Sequence, residues 1–363
     1  MSGGVDSSTA AALLVEQGYD VIGLMLRLWS EVEPGVESTN RCCTPEAVEE
    51  ARAVAHHLGI PFYLINAEGQ FRREVVDCFI EEYSRGRTPN PCVVCNRRVR
   101  FGFLLDYALM LGAERLATGH YARVRRSATG LFQLWRGADR EKDQSYMLHA
   151  LDQQQLARAL FPLGELTKAE VRQLAAERGL RVADRPESQD LCFVSDGDYR
   201  RFLSRWAPET ARPGPIVDRK GRRLGTHRGL AFYTVGQRRG LGIAAPEPLY
   251  VVELRPAENA VVVGTAAELG RSHLTASPMH WIEGRPESDC LRAEVQIRYR
   301  ASPVPASITV DGDRVHVTLD RPLRDITPGQ SAVLYQGDRC LGGGPIESGD
   351  AGEHSADGEP APS

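Results

Sequence analysis

The chain of 363 residues has no run of about 18 apolar residues, which a membrane-spanning helix would need. It also lacks a charged and then apolar leading segment of the kind that directs secretion. With 42% hydrophobic and 25% charged residues, the composition is typical of a soluble globular protein. We therefore expect a cytoplasmic protein without membrane contact and with room for two or three domains.

Cysteine is scarce, and eight residues in a chain of this length do not suggest a disulfide scaffold. They favour metal or sulfur chemistry in a reducing compartment. Two thiols lie in the motif Asn90-Pro-Cys92-Val-Val-Cys95, and a third, Cys192, lies far away in the sequence. A Cys-x-x-Cys motif fits a zinc site, an iron-sulfur site or a redox pair, and it identifies none of them.

A basic excess is also missing, since the formal net charge is −4, which argues against a nucleic acid partner. However, residues 347–363 carry five acidic residues and no Lys or Arg, so the remaining chain has 44 basic against 43 acidic residues. The tail is rich in Gly, Ser, Ala and Pro, and we expect it to be disordered. Five basic clusters in the body could together neutralise an RNA backbone, and they lie at 97–100, 123–126, 219–223, 238–239 and 298–300.

The glycine-rich loop Ser2-Gly-Gly-Val-Asp-Ser-Ser8 runs directly into a helix-forming stretch at 9–17. Two glycines allow a close backbone approach, and the helix directs free N–H groups at the loop, so the pattern predicts a phosphate site. The loop lacks the lysine of a Walker A motif, which disfavours an ordinary P-loop NTPase. A buried strand normally precedes such a loop. Since only Met1 precedes Ser2, we expect the natural chain to begin upstream; a truncated and poorly active form is the alternative.

Strands at 21–28, 61–65 and 115–118 alternate with helices at 44–58 and 71–83, which predicts a parallel sheet covered on both faces. Beyond about residue 208 the pattern changes to short strands with many glycines and prolines. We therefore expect an α/β chain with four parts. They are a doubly wound nucleotide-binding domain at 1–207, a small β-roll-like domain at 208–275, a C-terminal β-barrel at 276–346 and an acidic tail at 347–363.

The glycine-rich loop resembles the pyrophosphate-binding loop of the N-type ATP pyrophosphatases. Together with further motifs, nearly the whole chain resembles the tRNA-specific 2-thiouridylases, which replace the 2-oxygen of the wobble uridine with sulfur. The motifs are Gly86-Arg-Thr-Pro-Asn-Pro91, Cys95-Asn96, Ala117-Thr-Gly-His-Tyr-Ala-Arg123, Lys142-Asp-Gln-Ser-Tyr146, Asp190-Leu-Cys-Phe193, Tyr233-Thr-Val-Gly-Gln-Arg-Arg-Gly-Leu-Gly-Ile243, Arg298-Tyr-Arg300 and Pro328-Gly-Gln-Ser331.

The resemblance implies a role for each matching residue. Cys95 is the first catalytic cysteine, and Cys192 carries the persulfide and forms a disulfide with Cys95 after sulfur transfer. The residues implied to bind ATP, with Mg²⁺, are Met1, Ser2, Gly3, Gly4, Val5, Asp6, Ser7, Leu26 and Gly119. Those implied to face the target base are Asn90, Pro91 and Cys92. Those implied to contact tRNA are His120, Lys142, Asp143, Gln144, Arg298, Tyr299 and Gln330.

Two positions depart from the family pattern. Cys92 stands where many members have an aspartate, and Leu26 stands where methionine is common. Because Cys92 adds a third thiol, Cys92, Cys95 and Cys192 could instead ligate a [4Fe-4S] cluster whose open iron binds sulfide. The sequence leaves the persulfide relay and the cluster as equal alternatives.

The implied partners are the tRNAs for Lys, Glu and Gln and a sulfur donor, such as a cysteine desulfurase or a relay protein. Two other functions stay open at this point. One is a different N-type ATP pyrophosphatase acting on a small molecule. The other is a non-catalytic tRNA-binding protein that has lost its first strand.

Overall fold

The computed structural model describes residues 1–31, 44–183, 191–194 and 196–350. The α-helices α1 to α10 are Val5–Glu16, Pro45–His57, Glu68–Phe71, Asp77–Ser84, Pro91–Val94, Leu105–Met110, Ser145–Leu148, Gln153–Arg158, Lys168–Glu177 and Tyr199–Trp206. Two stretches, Arg72–Val76 and Cys95–Leu104, are π-helical. Short 3₁₀ turns are Pro208–Ala211, Leu230–Phe232, Pro256–Glu258 and Ala266–Leu269. Among the described residues, none of the helices combines the length and the apolar character that a membrane span needs.

Seventeen strands are found in the described part of the chain. In chain order, β1 to β17 are Gly23–Arg27, Phe62–Asn66, Leu116–Ala117, Ala122–Arg126, Phe132–Arg136, Ala159–Leu160, Gly214–Val217, Arg223–His227, Tyr250–Arg255, Ala260–Gly264, Arg271–Ala276, His280–Trp281, Cys290–Gln296, Val304–Asp311, Arg314–Leu323, Ser331–Gln336 and Arg339–Asp350.

The first part of the chain forms parallel strand pairs flanked by helices. Strand β1 pairs with β2 from Gly23↔Phe62 to Arg27↔Asn66, and β3 pairs with β6. Both pairs are parallel, as the alternation of strands and helices predicted. The helix predicted at 44–58 is α2, and the Thr44 hydroxyl caps it by accepting a hydrogen bond from Ala47 N–H at 3.2 Å.

Two β units follow. The first is a four-stranded sheet in the order β8-β7-β10-β9. The second is a six-stranded barrel in the order β11-β15-β14-β13-β16-β17, which β17 closes by pairing with β11. Strand β14 alternates strictly between buried and exposed residues, because one face lines the barrel core and the other meets water.

The end of the barrel corrects one predicted boundary. Residues 347–350 were placed in the disordered tail, but they form the end of β17 and pair with β11 from Thr275↔Ser348 to His273↔Asp350. Closing a barrel leaves no open edge, so this pairing accounts for the extra length of β17. Residues 351–363 lie outside the described residues.

A hairpin of the first part of the chain extends the barrel sheet, which the sequence did not predict. Strands β4 and β5 pair with each other, and β5 continues onto β17 through Trp135↔Arg339 and Leu134↔Cys340. Leu134 is fully buried and packs in a cluster that also holds Tyr335 and Cys340 of the barrel. The first and third parts of the chain therefore share one sheet and one core.

Because of this shared core, two leucines of the same hairpin should differ in how much their replacement by alanine lowers the free energy of unfolding. Leu134→Ala should lower the free energy of unfolding by about 2–5 kcal/mol, because it leaves a cavity between hairpin and barrel. Leu131→Ala is the matched control, since Leu131 is 38% exposed at the turn and should cost far less. Urea unfolding of both variants measures the difference, and equal losses would show that the hairpin does not pack as described.

Candidate active site

The glycine-rich loop is folded around the side chain of Ser7. Ser2 N–H donates to Ser7 Oγ at 3.0 Å, and Ser7 Oγ donates to the Gly4 carbonyl at 3.2 Å. Gly3 has φ +68°, a left-handed conformation that favours glycine. Gly4 occupies the N-cap of α1 and offers no side chain there, so the first turn of the helix keeps its N–H groups directed at the loop.

Gly119, which the resemblance implied to bind ATP, packs directly against this loop. A Cβ on Gly119 would lie 2.7 Å from the Asp6 carbonyl carbon and 2.8 Å from Ser7 N, so only glycine fits. Gly119 follows β3, and the start of the loop lies against β1, where the Met1 ammonium donates to the Leu24 carbonyl. Leu26 lies further along β1. The loop, Gly119 and Leu26 therefore lie along β1 and the carboxyl end of β3, where parallel sheets bind nucleotides.

The Asp6 carboxylate is held by two residues that the sequence analysis missed. Lys168 Nζ lies 2.7 and 2.8 Å from its two oxygens, and the Tyr121 hydroxyl donates to it at 2.8 Å. The only local signal was the helix cap Thr167-Lys-Ala-Glu170 around Lys168, which predicts a helix start but no contact with the loop.

The buried Ser8 hydroxyl has no hydrogen-bond partner among the residues that the structure describes. Buried polar groups are rarely left without one, so the first turn of α1 retains unused hydrogen-bonding capacity. Together with the glycine backbone and the helix N-terminus, this fits a triphosphate. The Asp6 carboxylate is already engaged, so we derive no step through a magnesium ion.

Cys92 and Cys95 lie on either side of a change in helix geometry. Asn90 caps α5 by accepting from Cys92 N–H at 3.2 Å, and Cys92 is exposed. At Cys95 the helix widens to π-helical turns, a geometry that is frequent at functional sites. Cys95 is 8% exposed and lies within the core.

Gln155 stabilises the π-helical stretch by donating to two of its carbonyls. Gln155 Nε2 lies 3.0 Å from the Arg97 carbonyl and 2.9 Å from that of Phe101. Such outside donors compensate for the backbone pairing that a widened helix loses. The backbone that carries Cys95 is thereby fixed.

Cys192 belongs to the same core as Cys95. It lies in the turn 191–194 and packs against the cluster that contains Cys95. The neighbouring Phe193 ring is buried, with edge-to-face contacts to Phe79 at 5.1 Å and Phe202 at 5.4 Å between ring centroids. The structure thus brings two thiols from distant parts of the sequence into one cluster.

An ion-pair network anchors the turn that carries Cys192. Glu31 N–H donates to the Phe193 carbonyl at 3.4 Å, and the buried Glu31 carboxylate accepts from Arg201 at 3.0 and 2.6 Å. Arg201 also donates to Asp196 at 2.6 Å. Burial raises the pKa of Glu31, but hydrogen bonds from Arg201 and Trp206 outweigh it, and the pKa of this carboxyl is lowered overall. The network is therefore charged at neutral pH and ties helix α10 to both sides of the turn.

The proposed iron-sulfur ligands are not assembled in this structure. Cys92 is exposed, Cys95 is buried and Cys192 is half-buried. Within the described ranges, no group of three or more His, Cys, Asp or Glu side chains could hold a metal ion. The thiol arrangement does not fit the cluster, and we derive no step through one.

His120 is buried although the resemblance implied a tRNA contact. Its Nδ1 lies 2.7 Å from Thr118 Oγ1, and Arg100 Nη1 lies 3.4 Å from its Nε2. Burial, reinforced by the positive charge of Arg100, lowers the pKa of His120 to about 3. Its imidazole is therefore neutral near pH 7, and the tRNA contact remains a prediction.

The three implied tRNA residues at 142–144 all have internal partners. Asp143 is buried and accepts from Arg136 Nη1 at 2.9 Å, Gly137 N at 2.9 Å and Ser145 Oγ at 2.9 Å. Gln144 exchanges two hydrogen bonds with the backbone of Tyr121. Lys142 is half-buried, and its backbone N–H donates to Asp139 Oδ1 at 3.2 Å. Asp143 and Gln144 thus hold the hairpin and Tyr121 in place, and their contacts with tRNA remain predictions.

The remaining implied tRNA residues lie where the barrel meets the other two parts. Gln330 Nε2 donates to the Thr88 carbonyl at 2.9 Å, just before the Asn90 cap. Arg298 donates to the Val235 carbonyl at 3.2 Å and pairs with Asp325 at 3.1 Å. Tyr299 is half-buried, with its ring 6.4 Å from that of Tyr146. The barrel therefore contacts the segment that precedes Cys92.

Comparison with known proteins assigns the chain to a family. Three family models match in succession: a tRNA methyl transferase HUP domain at residues 1–196, a tRNA methyl transferase PRC-barrel domain at 200–265 and an aminomethyltransferase beta-barrel domain at 271–346. A tRNA-specific 2-thiouridylase of Chloroflexus aurantiacus is 53% identical over 95% of this chain and 96% of its own length. The chain belongs to the tRNA-specific 2-thiouridylase family.

Other 2-thiouridylases match equally broadly. That of Carboxydothermus hydrogenoformans is 51% identical over 96% of both chains, and that of Geobacter metallireducens is 51% identical over 96% of this chain and 95% of its own. The first two family models are named for a methyltransferase, but the family assignment rests on the relatives, because they match the chain nearly from end to end. The HUP domain confirms the nucleotide-binding α/β fold, and the two β units after it agree with the predicted fold class. ATP binding is the property expected of this domain.

The internal contacts of Asp143 predict a large effect on stability. Asp143→Asn should lower the free energy of unfolding by about 3–5 kcal/mol, because it leaves Arg136 charged and unpaired in the core. Asp320→Asn is the matched control, since its ion pair with Arg292 is exposed and should contribute nothing measurable. Urea unfolding at pH 7 measures both, and a stable Asp143→Asn variant would contradict the structural role.

The neutral state of His120 predicts a pH dependence of stability. Because its folded pKa is about 3 against 6.5 in the unfolded chain, unfolding takes up a proton at acidic pH. Stability should fall from about pH 6.5 downwards, by up to about 1.4 kcal/mol per pH unit from this one group. His120→Gln should show a shallower slope in unfolding experiments between pH 7 and 4. An unchanged slope would place the His120 pKa near its ordinary value.

Proposed function

We propose that this protein uses ATP to replace the 2-oxygen of the wobble uridine of tRNA with sulfur. The observation that supports this best is the presence of two chemical centres in one molecule. The glycine-rich loop is folded at the N-terminus of α1, a geometry that suits a phosphate group, and Cys95 and Cys192 share one core cluster. The relatives that match this chain over nearly its whole length are named tRNA-specific 2-thiouridylases.

The first step activates the uridine. Its 2-oxygen attacks the α-phosphorus of ATP, the bond to the β-phosphate oxygen breaks, and pyrophosphate leaves with the electron pair. The glycine-rich loop and the amides of α1 stabilise the negative charge that develops on the leaving group. Met1 to Ser7, Leu26 and Gly119 hold the nucleotide in this proposal.

The second step transfers sulfur. A persulfide on Cys192, charged beforehand by a sulfur donor, attacks C2 of the activated base, and AMP leaves with the former 2-oxygen. The Cys95 thiolate then attacks Cys192 Sγ and breaks its bond to the transferred sulfur. That sulfur stays on the base as a thiocarbonyl, and the resulting Cys95–Cys192 disulfide is reduced by an external thiol.

The substrate must be a single-stranded base, because a stacked and paired uridine could not reach both centres. Asn90, Pro91 and Cys92 face the base in this proposal, and the tRNA is held by His120, Lys142 to Gln144, Arg298, Tyr299 and Gln330. By family, the substrates are the tRNAs for Lys, Glu and Gln, the sulfur donor is a cysteine desulfurase or its relay partner, and the reaction takes place in the cytoplasm.

The test is a reconstituted reaction without oxygen, with ATP, Mg²⁺, a sulfur source and unmodified tRNA. Mass spectrometry of the digested nucleosides should detect 2-thiouridine with the intact protein and none with Cys95→Ser or Cys192→Ser. Cys290→Ser is the matched control, because Cys290 is an exposed thiol of the barrel and should leave the yield unchanged.

Two results would contradict the proposal. If either active-site variant formed as much product as the intact protein, that cysteine would have no part in the persulfide relay. If product were lost when bound iron is removed, the iron-sulfur alternative would hold and the persulfide relay would be wrong.

A further inference from the structure

We propose that Lys168 supplies the positive charge that the glycine-rich loop lacks and that its ammonium binds the pyrophosphate portion of ATP. The residue lies outside every motif that suggested the function. It nevertheless brings Nζ within 2.8 Å of both Asp6 carboxylate oxygens, at the first turn of α1. This inference rests on the proposed function for the identity of the reaction, but not for the binding of the phosphates.

The position of Lys168 is fixed by the start of helix α9. Thr167 and Glu170 form a reciprocal cap around this turn, and Lys168 N–H donates to Asp139 Oδ2 at 2.9 Å. Val171 of the same helix packs with Val5 of α1 in one apolar cluster. Two packed helices thus aim the ammonium at the loop, so that little conformational freedom is lost when it binds a ligand.

The ion pair between Lys168 and Asp6 is only partly buried. The Lys168 side chain is 11% exposed, while that of Asp6 is 32% exposed, so the pair lies at the edge of the loop and is reached by solvent. A lysine next to the N-terminus of a helix concentrates positive charge where phosphate groups bind. Only three of the 44 basic residues are lysines, so this contact does not come from a lysine-rich surface.

The chemical role follows from the charge balance of the activation step. When the uridine oxygen attacks the α-phosphorus, the departing pyrophosphate gains the electron pair of the broken bond. An ammonium that contacts this group stabilises the leaving group without transferring a proton. Lysine is well suited to this, as a compact charge on a flexible stem.

The test compares Lys168→Met, which removes the charge at similar length, with Lys168→Arg, which keeps it. Calorimetric titration with ATP, inorganic pyrophosphate and adenosine separates phosphate contacts from base contacts. We expect Lys168→Met to weaken ATP and pyrophosphate binding roughly 10- to 100-fold and to leave adenosine binding unchanged. Lys168→Arg should recover most of the lost affinity. Gln173→Met, on the exposed side of the same helix, is the matched control and should bind all three like the unaltered protein.

Two outcomes would overturn the inference. Pyrophosphate affinity that survives in Lys168→Met would show that the ammonium does not bind the phosphates. Equal losses in Lys168→Met and Lys168→Arg would show that the residue only supports the loop. Failure of the proposed function can be distinguished from failure of this inference. In that case the protein would never form 2-thiouridine, but its pyrophosphate binding would still depend on the charge of residue 168.

Discussion

The structure depends on the junction between strand β5 of the first part of the chain and strand β17 of the barrel. At this junction the buried Arg136–Asp143 ion pair, at 2.9 Å, lies beneath the Tyr335 ring of the barrel. Removing either charge would leave the other without compensation in the core. Arg136 also donates to Gln296 of the barrel at 3.1 Å, so this group of contacts joins the hairpin to the barrel. Because this junction fixes the barrel, Gln330 reaches the segment that leads to Cys92.

The glycine-rich loop and the two thiols are also held in a fixed arrangement. The glycine-rich loop is fixed by Gly119 and Asp6, and the thiols are fixed by the aromatic core around Phe193. Arg100 joins the two regions, since its guanidinium contacts Asn96, next to Cys95, and His120, next to Gly119. In the proposed reaction, activation and sulfur transfer act on the same base, which requires that these two regions be connected.

The sequence predicted those parts of the candidate site whose residues lie close together in the chain. The glycine-rich loop, the Asn90 cap and the strands β1 to β3 follow from spacing and turn chemistry over a few residues. The contact between Lys168 and Asp6 and the pairing of β5 with β17 join residues more than 150 positions apart, and no short pattern signals them. The burial of His120 and Asp143 could not be predicted either, because a polar residue in a motif can either bind a ligand or pack in the core.

In the proposed reaction the uridine oxygen attacks the α-phosphorus of ATP while pyrophosphate leaves from the glycine-rich loop. The most direct measurement is a single turnover with tRNA that carries oxygen-18 at the 2-position of the wobble uridine. The label is expected in AMP, in an amount equal to the 2-thiouridine formed. Label in inorganic phosphate or pyrophosphate, with none in AMP, would contradict it.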